Sequence, residues 1–114
     1  MADDFLRKAA DAMLDHETAN QIAEQERALQ SNPNWAEGHF HLAELLRVQH
    51  RRDDAKRHLL RALETKPSLA EAHIALGEIY IAEGDLARAR EHAEYAAQFG
   101  NPRLIEQLRR HNAL

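Results

Sequence analysis

The eight histidines of this 114-residue chain are its most obvious candidates for chemistry. Imidazole is the commonest neutral zinc ligand and the usual acid–base group near neutral pH. His50 and His58 each lie four residues from Asp54, a spacing that places side chains on one helix face. Two ligands of this kind fall short of the three or four that a zinc site requires.

Other histidines recur at a fixed distance along the chain. His39 and His73 stand at an offset of 34, and so do His58 and His92. A residue that recurs in each unit of a repeat indicates packing or surface contact within that unit, not convergence on one ion. We therefore predict no metal site, and a metal-dependent enzyme fragment is the weakest of the functional alternatives.

The sequence carries no recognisable nucleophile motif. It has no cysteine, no GxSxG sequence and no phosphate-binding loop. Adjacent carboxylates such as Asp53 and Asp54 lie near a predicted helix start, where acidic side chains cap the helix. We predict that the protein is not an enzyme and has no cofactor.

Composition predicts an all-α protein in one domain, residues 1–114. Helix-forming residues are abundant, and only three prolines and four glycines interrupt them. The net charge of −4 argues against nucleic-acid or anionic-membrane binding. No apolar run reaches the length that spans a bilayer, and the first residues lack the apolar core of a secretory signal. Together with the absence of cysteine, this favours the cytoplasm.

Helical segments must position these residues, and their pattern repeats with a period of 34. Pro33 and Pro67 are separated by one such period, and each precedes two helical patterns joined by a polar turn. Small and large apolar residues recur in the same register. The matched pairs are Leu42/Leu76, Ala43/Gly77, Leu46/Tyr80, Ala55/Ala89 and Ala62/Ala96.

A 34-residue helix–turn–helix unit with small residues at these positions resembles the tetratricopeptide repeat family. The resemblance implies a right-handed α-α superhelix, or solenoid, of three helix pairs followed by a capping helix. The repeats would cover residues 2–35, 36–69 and 70–103, and the capping helix residues 104–112. It also implies a module that binds other proteins.

The first repeat departs from the pattern. We predict its helices at residues 2–15 and 18–31, the second with Ala19, Ile22, Ala23 and Leu29 facing inward. Lys8 stands where the later repeats have leucine, and Gln21 where they have alanine. Terminal repeats are often atypical because one face meets water.

Two helix starts carry capping residues. Ser68 with Glu71 matches a capping box, and Asp85 after Gly84 is a good N-cap.

By resemblance, the first helix of each pair lines a groove that holds a peptide segment. The predicted groove residues are Glu37, Phe40, His41, Glu44, Arg47, Glu71, Ile74, Glu78 and Ile81. The apolar residues of this set would anchor the partner, and the glutamates would form ion pairs with its Lys or Arg residues. A clamp for a terminal carboxylate is disfavoured, because the corresponding positions lack the cations it needs.

Two interpretations remain open beside this one. The groove glutamates are equally consistent with ordinary solvated helix faces. The protein could also assemble with a second copy through Leu6, Met13 and Leu14 of the irregular first repeat. The sequence does not distinguish an adaptor for another protein from a homo-oligomeric scaffold.

Overall fold

The computed structural model describes residues 2–112, which form six α-helices and no β-strand. The all-α prediction is therefore confirmed for this part of the chain. The helices are α1 (Ala2–Ser31), α2 (Ala36–Val48), α3 (Arg52–Thr65), α4 (Ala70–Ala82), α5 (Leu86–Gln98) and α6 (Arg103–Arg110). None of them is long and apolar enough to span a bilayer.

The helices stack as antiparallel hairpins. The α2–α3 pair and the α4–α5 pair each form an extensive contact, and α3 packs on α4 to join them. Helix α1 packs on α2 at one end, and α6 packs on α5 and α4 at the other. Sequential packing of this kind is the arrangement of a solenoid, as the period of 34 predicts.

Small residues allow the helices of each hairpin to approach closely. Ala43 and Ala55 of the first hairpin have no exposed surface, and Ala89 of the second has none either. At Gly77 an added Cβ would lie only 2.4 Å from the Leu104 side chain and 3.4 Å from the Ala89 carbonyl oxygen. The repeated small positions of the sequence are thus the points of closest contact.

Large leucines fill the space between the small residues. Leu42, Leu59 and Leu76 are almost fully buried in one continuous cluster. Leu104 of α6 is equally buried in a second cluster, which covers the open side of α4 and α5. Helix α6 therefore acts as the predicted cap, although it occupies Arg103–Arg110 and not residues 104–112.

The prediction of two helices in the first repeat is wrong. Residues 2–15 and 18–31 belong to the single continuous helix α1. Neither glycine nor proline lies between them, and the Thr18 hydroxyl donates a hydrogen bond to the Leu14 carbonyl within the helix, at 2.9 Å. Repeat 2–35 thus contains one continuous helix in place of a hairpin.

The second half of α1 is the part that joins the core. Ile22 and Leu29 are buried against the rest of the chain, whereas Ala19 and Ala23 are exposed, contrary to the prediction that they face inward. One narrow stripe of α1 is enough for contact with α2, because α2 is its main helical neighbour.

The two predicted caps have different outcomes. Asp85 is the N-cap of α5 and accepts a hydrogen bond from the Arg88 backbone N–H at 3.1 Å, as predicted. The Ser68–Glu71 capping box is not formed, because α4 begins one residue later, after Leu69. Leu69 is buried in the core, which fixes the start of α4 by packing instead of by a side-chain cap.

Candidate functional site

The first helices of the hairpins and the capping helix form one face of the molecule. Helix α2 contacts α4, and α4 contacts α6, so the three lie side by side. We call this surface the α2/α4/α6 face. It is the surface on which the sequence places the candidate groove.

Part of the predicted groove converges on one cavity of about 100 Å³. Five predicted residues line it: Phe40, Glu44, Glu71, Ile74 and Glu78. Ala75 of α4 completes its apolar wall, and Asn101 and Arg103 close it from the α6 side. The repeat spacing thus brings residues from two separate hairpins together around one small space.

The apolar residues of the predicted groove differ in how much surface they expose to a partner. Ile74 is only 3% exposed and packs in the cluster beneath α6, so it forms the floor. Phe40 and Ile81 are partly buried, each against a different core cluster. Phe40 and Ile81 therefore present more apolar surface than Ile74, which the capping helix covers.

Arginine side chains form ion pairs with two of the three glutamates that line the cavity. Arg47 lies 3.0 Å from Glu44 and 3.7 Å from Glu78, joining the two hairpins. Arg103 of α6 lies 3.8 Å from the same Glu78 oxygen. Glu71 lines the same cavity but pairs with neither arginine, so the three carboxylates exceed these two guanidinium groups by one negative charge.

Glu71 differs from its neighbours in this network. Within residues 2–112 it forms no ion pair, whereas Glu44 and Glu78 both do. Its side chain is exposed at the edge of the cavity. Glu71 is therefore the carboxylate most accessible to a cation from outside.

The remaining predicted residues lie to either side of the cavity. Glu37 pairs with Lys66 at 2.9 Å, and the hydrogen bond from Lys66 lowers the pKa of Glu37. His41 lines a neighbouring depression between α1 and α2, together with Gln21 and Glu24. The predicted set is thus distributed along one face, and only part of it shares a cavity.

Sequence reasoning missed Asn101 and Arg103. The signal that could have found them is the repeat itself: one further step places another helix beside α4, and its first residues reach the groove rim. The extra residue before Pro102 displaces this helix from the strict period, so the period alone does not give its register.

The repeated histidines form pairs within each hairpin. His39 Nδ1 lies 3.0 Å from His58 Nδ1, and His39 Nε2 lies 2.8 Å from the Pro33 carbonyl oxygen. That oxygen can only accept, so His39 Nε2–H donates to it and neutral His39 accepts from His58 Nδ1–H. The packing role predicted from the period is confirmed.

The histidine pairs do not extend to a metal-ligand set. Among the residues that the structure describes, no three His, Asp or Glu side chains come together as metal ligands would. His73 and His92 repeat the first pair at 3.1 Å, and His73 Nε2 donates to the Pro67 carbonyl. Each pair uses its facing nitrogens in local hydrogen bonds.

Stacked hairpins, the period of 34 and the capping helix together define the fold as an α-α solenoid of the tetratricopeptide type. Among solved structures, the chain is similar to the crystal structure of MamA. The two share 22% sequence identity and a TM-score of 0.71 over 80% of this chain and 53% of the MamA chain. The chain thus spans about half the length of MamA, and the likeness confirms the fold.

Comparison of the sequence itself adds no further relative. No family model matches it, and no curated protein does.

Proposed function

We propose that this protein is a non-enzymatic adaptor that binds a peptide segment of another protein on the α2/α4/α6 face. The observation that carries the proposal is the cavity where Phe40 and Ile74 meet the carboxylates Glu44, Glu71 and Glu78. A groove with an apolar floor and a charged rim can bury one anchor side chain of a peptide and form ion pairs with the residues beside it.

The size of the cavity favours a peptide over a metabolite. Sites for small molecules enclose about 300–1,000 Å³. The cavity has about 100 Å³, which is room for one side chain of a longer segment. The rest of that segment would lie along the partly buried Phe40 and Ile81 and the surface around His41.

Charge favours a partner with Lys or Arg beside its apolar anchor. Glu44, Glu71 and Glu78 exceed their partners Arg47 and Arg103 by one negative charge, and Glu71 forms no ion pair among the described residues, since its neighbour Lys66 pairs with Glu37. A basic residue placed there would add an ion pair without displacing Arg47 or Arg103. Such complementarity contributes to specificity and to the rate of association.

We place this adaptor in the cytoplasm. This placement is supported by the absence of cysteine, because a chain that forms no disulfide bond does not need an oxidising compartment for its stability. The net charge of −4 also suits a protein partner better than a nucleic acid or an anionic membrane.

The test is selection from a display library of short random peptides on the immobilised chain. We expect the selected peptides to combine an apolar residue with Lys or Arg, and to bind the Glu71→Lys variant about tenfold more weakly. Glu94→Lys is the matched control, because Glu94 is exposed on α5 and the change in net charge is the same. Equal losses in both variants, or selection of acidic peptides, would contradict the proposal.

A further inference from the structure

The surface between α1 and α2 is a long open trough. Two depressions of about 680 and 610 Å³ lie end to end along it and share Val48. The α1 wall runs from Asp11 to Gln25, which is about 21 Å at about 1.5 Å per helical residue. The α2 wall runs from His41 to Val48. We call this surface the α1/α2 trough.

The trough lies where the repeat architecture places a helix. Helix α2 packs against α3, its hairpin partner, and also against α4, the first helix of the next hairpin. One period earlier, the corresponding place lies between the second half of α1 and α2. No helix of residues 2–112 fills this place, because residues 2–15 and 18–31 form the single helix α1.

Burial differs between α2 and α4 at the positions that such a helix would cover. His41 and Leu45 of α2 correspond to Ala75 and Ile79 of α4 at the offset of 34. Ala75 is 2% exposed and Ile79 is 3% exposed, in the core cluster that α4 shares with α2 and α3. Leu45 is only partly buried, and Val48 is 67% exposed. The trough side of α2 therefore lacks the cover that α2 itself gives to α4.

The α1 wall of the trough is polar where the complete hairpins are apolar. Gln21 and Gln25 correspond to Ala55 and Leu59, which are both fully buried. Interfaces that form and separate are about as polar as the rest of a protein surface. The composition of this wall thus suits a partner that binds reversibly better than a permanent helix of the core.

The charge of the trough is negative. Within the described residues, four carboxylates line it and no Lys or Arg does; the four are Asp11, Asp15, Glu24 and Glu44. Glu44 pairs with Arg47, whereas the other three take part in no ion pair between residues that the structure describes. Electrostatic complementarity therefore favours an occupant that carries Lys or Arg.

The chain's own first segment does not meet this requirement. Residues 2–15 are the segment that the period places beside the trough, but they carry more acids than bases. The charged residues are Asp3, Asp4, Asp11 and Asp15 against Arg7 and Lys8, which gives a net charge of −2. In this chain or in a second copy, the segment would meet walls of like charge, which opposes association.

We propose that the α1/α2 trough binds an amphipathic helix of a partner protein that carries Lys or Arg along its edge. A helix of about 14 residues matches the length of the trough. Its apolar side packs on Leu45 and Val48, as amphipathic helices pack in grooves, and its cations pair with Asp15 and Glu24. The trough shares only Glu44 with the cavity of the α2/α4/α6 face, so the proposal does not depend on that cavity.

The test is selection on the immobilised chain from a display library of alanine-based helices of about 14 residues, randomised on one face. We expect the selected helices to combine apolar residues with Lys or Arg. The Asp15→Lys, Glu24→Lys double variant should bind them about tenfold more weakly. The matched control is Glu91→Lys with Glu94→Lys, because both glutamates are exposed on α5 and the change in net charge is the same.

A second pair of variants tests the α2 wall. Val48→Lys should weaken binding of the selected helices about tenfold, since it replaces an apolar contact with a charge of the same sign as theirs. Leu60→Lys is the control, as Leu60 is 45% exposed on α3, and it should leave the affinity unchanged. Circular dichroism checks that each variant keeps its helix content.

Several outcomes would overturn the proposal: selection of no helix, selection of acidic helices, or equal losses in the trough variants and their controls. A dimer of the unmodified chain that excludes the selected helices would also overturn it, because a second copy would then fill the trough. Glu71→Lys should leave helix binding intact. A loss in Glu71→Lys but not in Asp15→Lys, Glu24→Lys would place the helix in the cavity, so the adaptor proposal would stand while this one failed.

Discussion

His39 and His58 meet through their Nδ1 atoms at 3.0 Å, and the same contact recurs one repeat later between His73 and His92 at 3.1 Å. In each pair the first histidine also donates to the carbonyl of the proline that precedes its helix. Each histidine pair therefore ties three segments together: the incoming turn and the two helices of a hairpin.

The pairs make stability depend on pH. Burial lowers the pKa of His58 below its usual 6.5, and the His39 imidazole and the Arg57 guanidinium lower it further, while Glu26 opposes them. Burial also lowers the pKa of His92, and the neighbouring His73 acts in the same direction. The folded chain thus binds protons more weakly at these sites than the unfolded chain.

The sign of the pH dependence follows. Near pH 6.5 and below, the unfolded chain binds more protons than the folded chain, so the free energy of unfolding falls as the pH falls. Above about pH 7.5 both states are neutral at these sites and the dependence levels off. Urea unfolding at a series of pH values between 5 and 8 measures this dependence of the free energy of unfolding on pH.

Substitution separates this effect from general acid sensitivity. His58→Gln with His92→Gln should flatten the curve between pH 5 and 7. His16→Gln is the control, because His16 is exposed on α1, and it should leave the slope unchanged. A slope that persists in the double variant would show that other groups cause it.

Leu104 tests whether α6 is an integral cap. It is 1% exposed and fills the space above Gly77, so Leu104→Ala should lower the free energy of unfolding by about 3 kcal/mol. Leu60→Ala, at an exposed position, should cost less than about 1 kcal/mol. Urea titration measures both, and equal small losses would mean that α6 does not stabilise the core.

Gly84 tests the turn between α4 and α5. Its φ of +79° lies in the left-handed region, and an added Cβ would meet no atom within 4 Å. Gly84→Ala should therefore cost about 1 kcal/mol through backbone strain alone, and Gly84→Asn less, because Asn tolerates this conformation better. Thermal unfolding gives the order, and a stabilising Gly84→Ala would refute this account of the turn.

The repeated part of the fold was predictable because packing and sequence agree there. Ala55 and Ala89 are small, Pro33 and Pro67 end helices, and Asp85 caps α5, so each local preference favours the same hairpins. The period of 34 then determines which helices become neighbours.

The first repeat was not predictable from its neighbours. The period assigns a turn near residues 16–17, but neither His16 nor Glu17 breaks a helix, so the intrinsic helix propensity of these residues prevails.

The candidate site was predicted only in part, because the repeat pattern again did not describe the end of the chain. Ile74 has the repeat position of a groove residue, but α6 covers it. The period did not predict where α6 packs, because Pro102 lies one residue later than the repeat requires.

The proposed adaptor holds its partner segment on the α2/α4/α6 face. The most direct measurement is amide chemical-shift mapping of the isotope-labelled chain with a selected peptide. We predict that the largest shifts occur around Phe40, Glu71 and Ile74, with little change on the outward side of α3 and α5. Shifts concentrated on α3 and α5, with the α2/α4/α6 face unperturbed, would contradict the account.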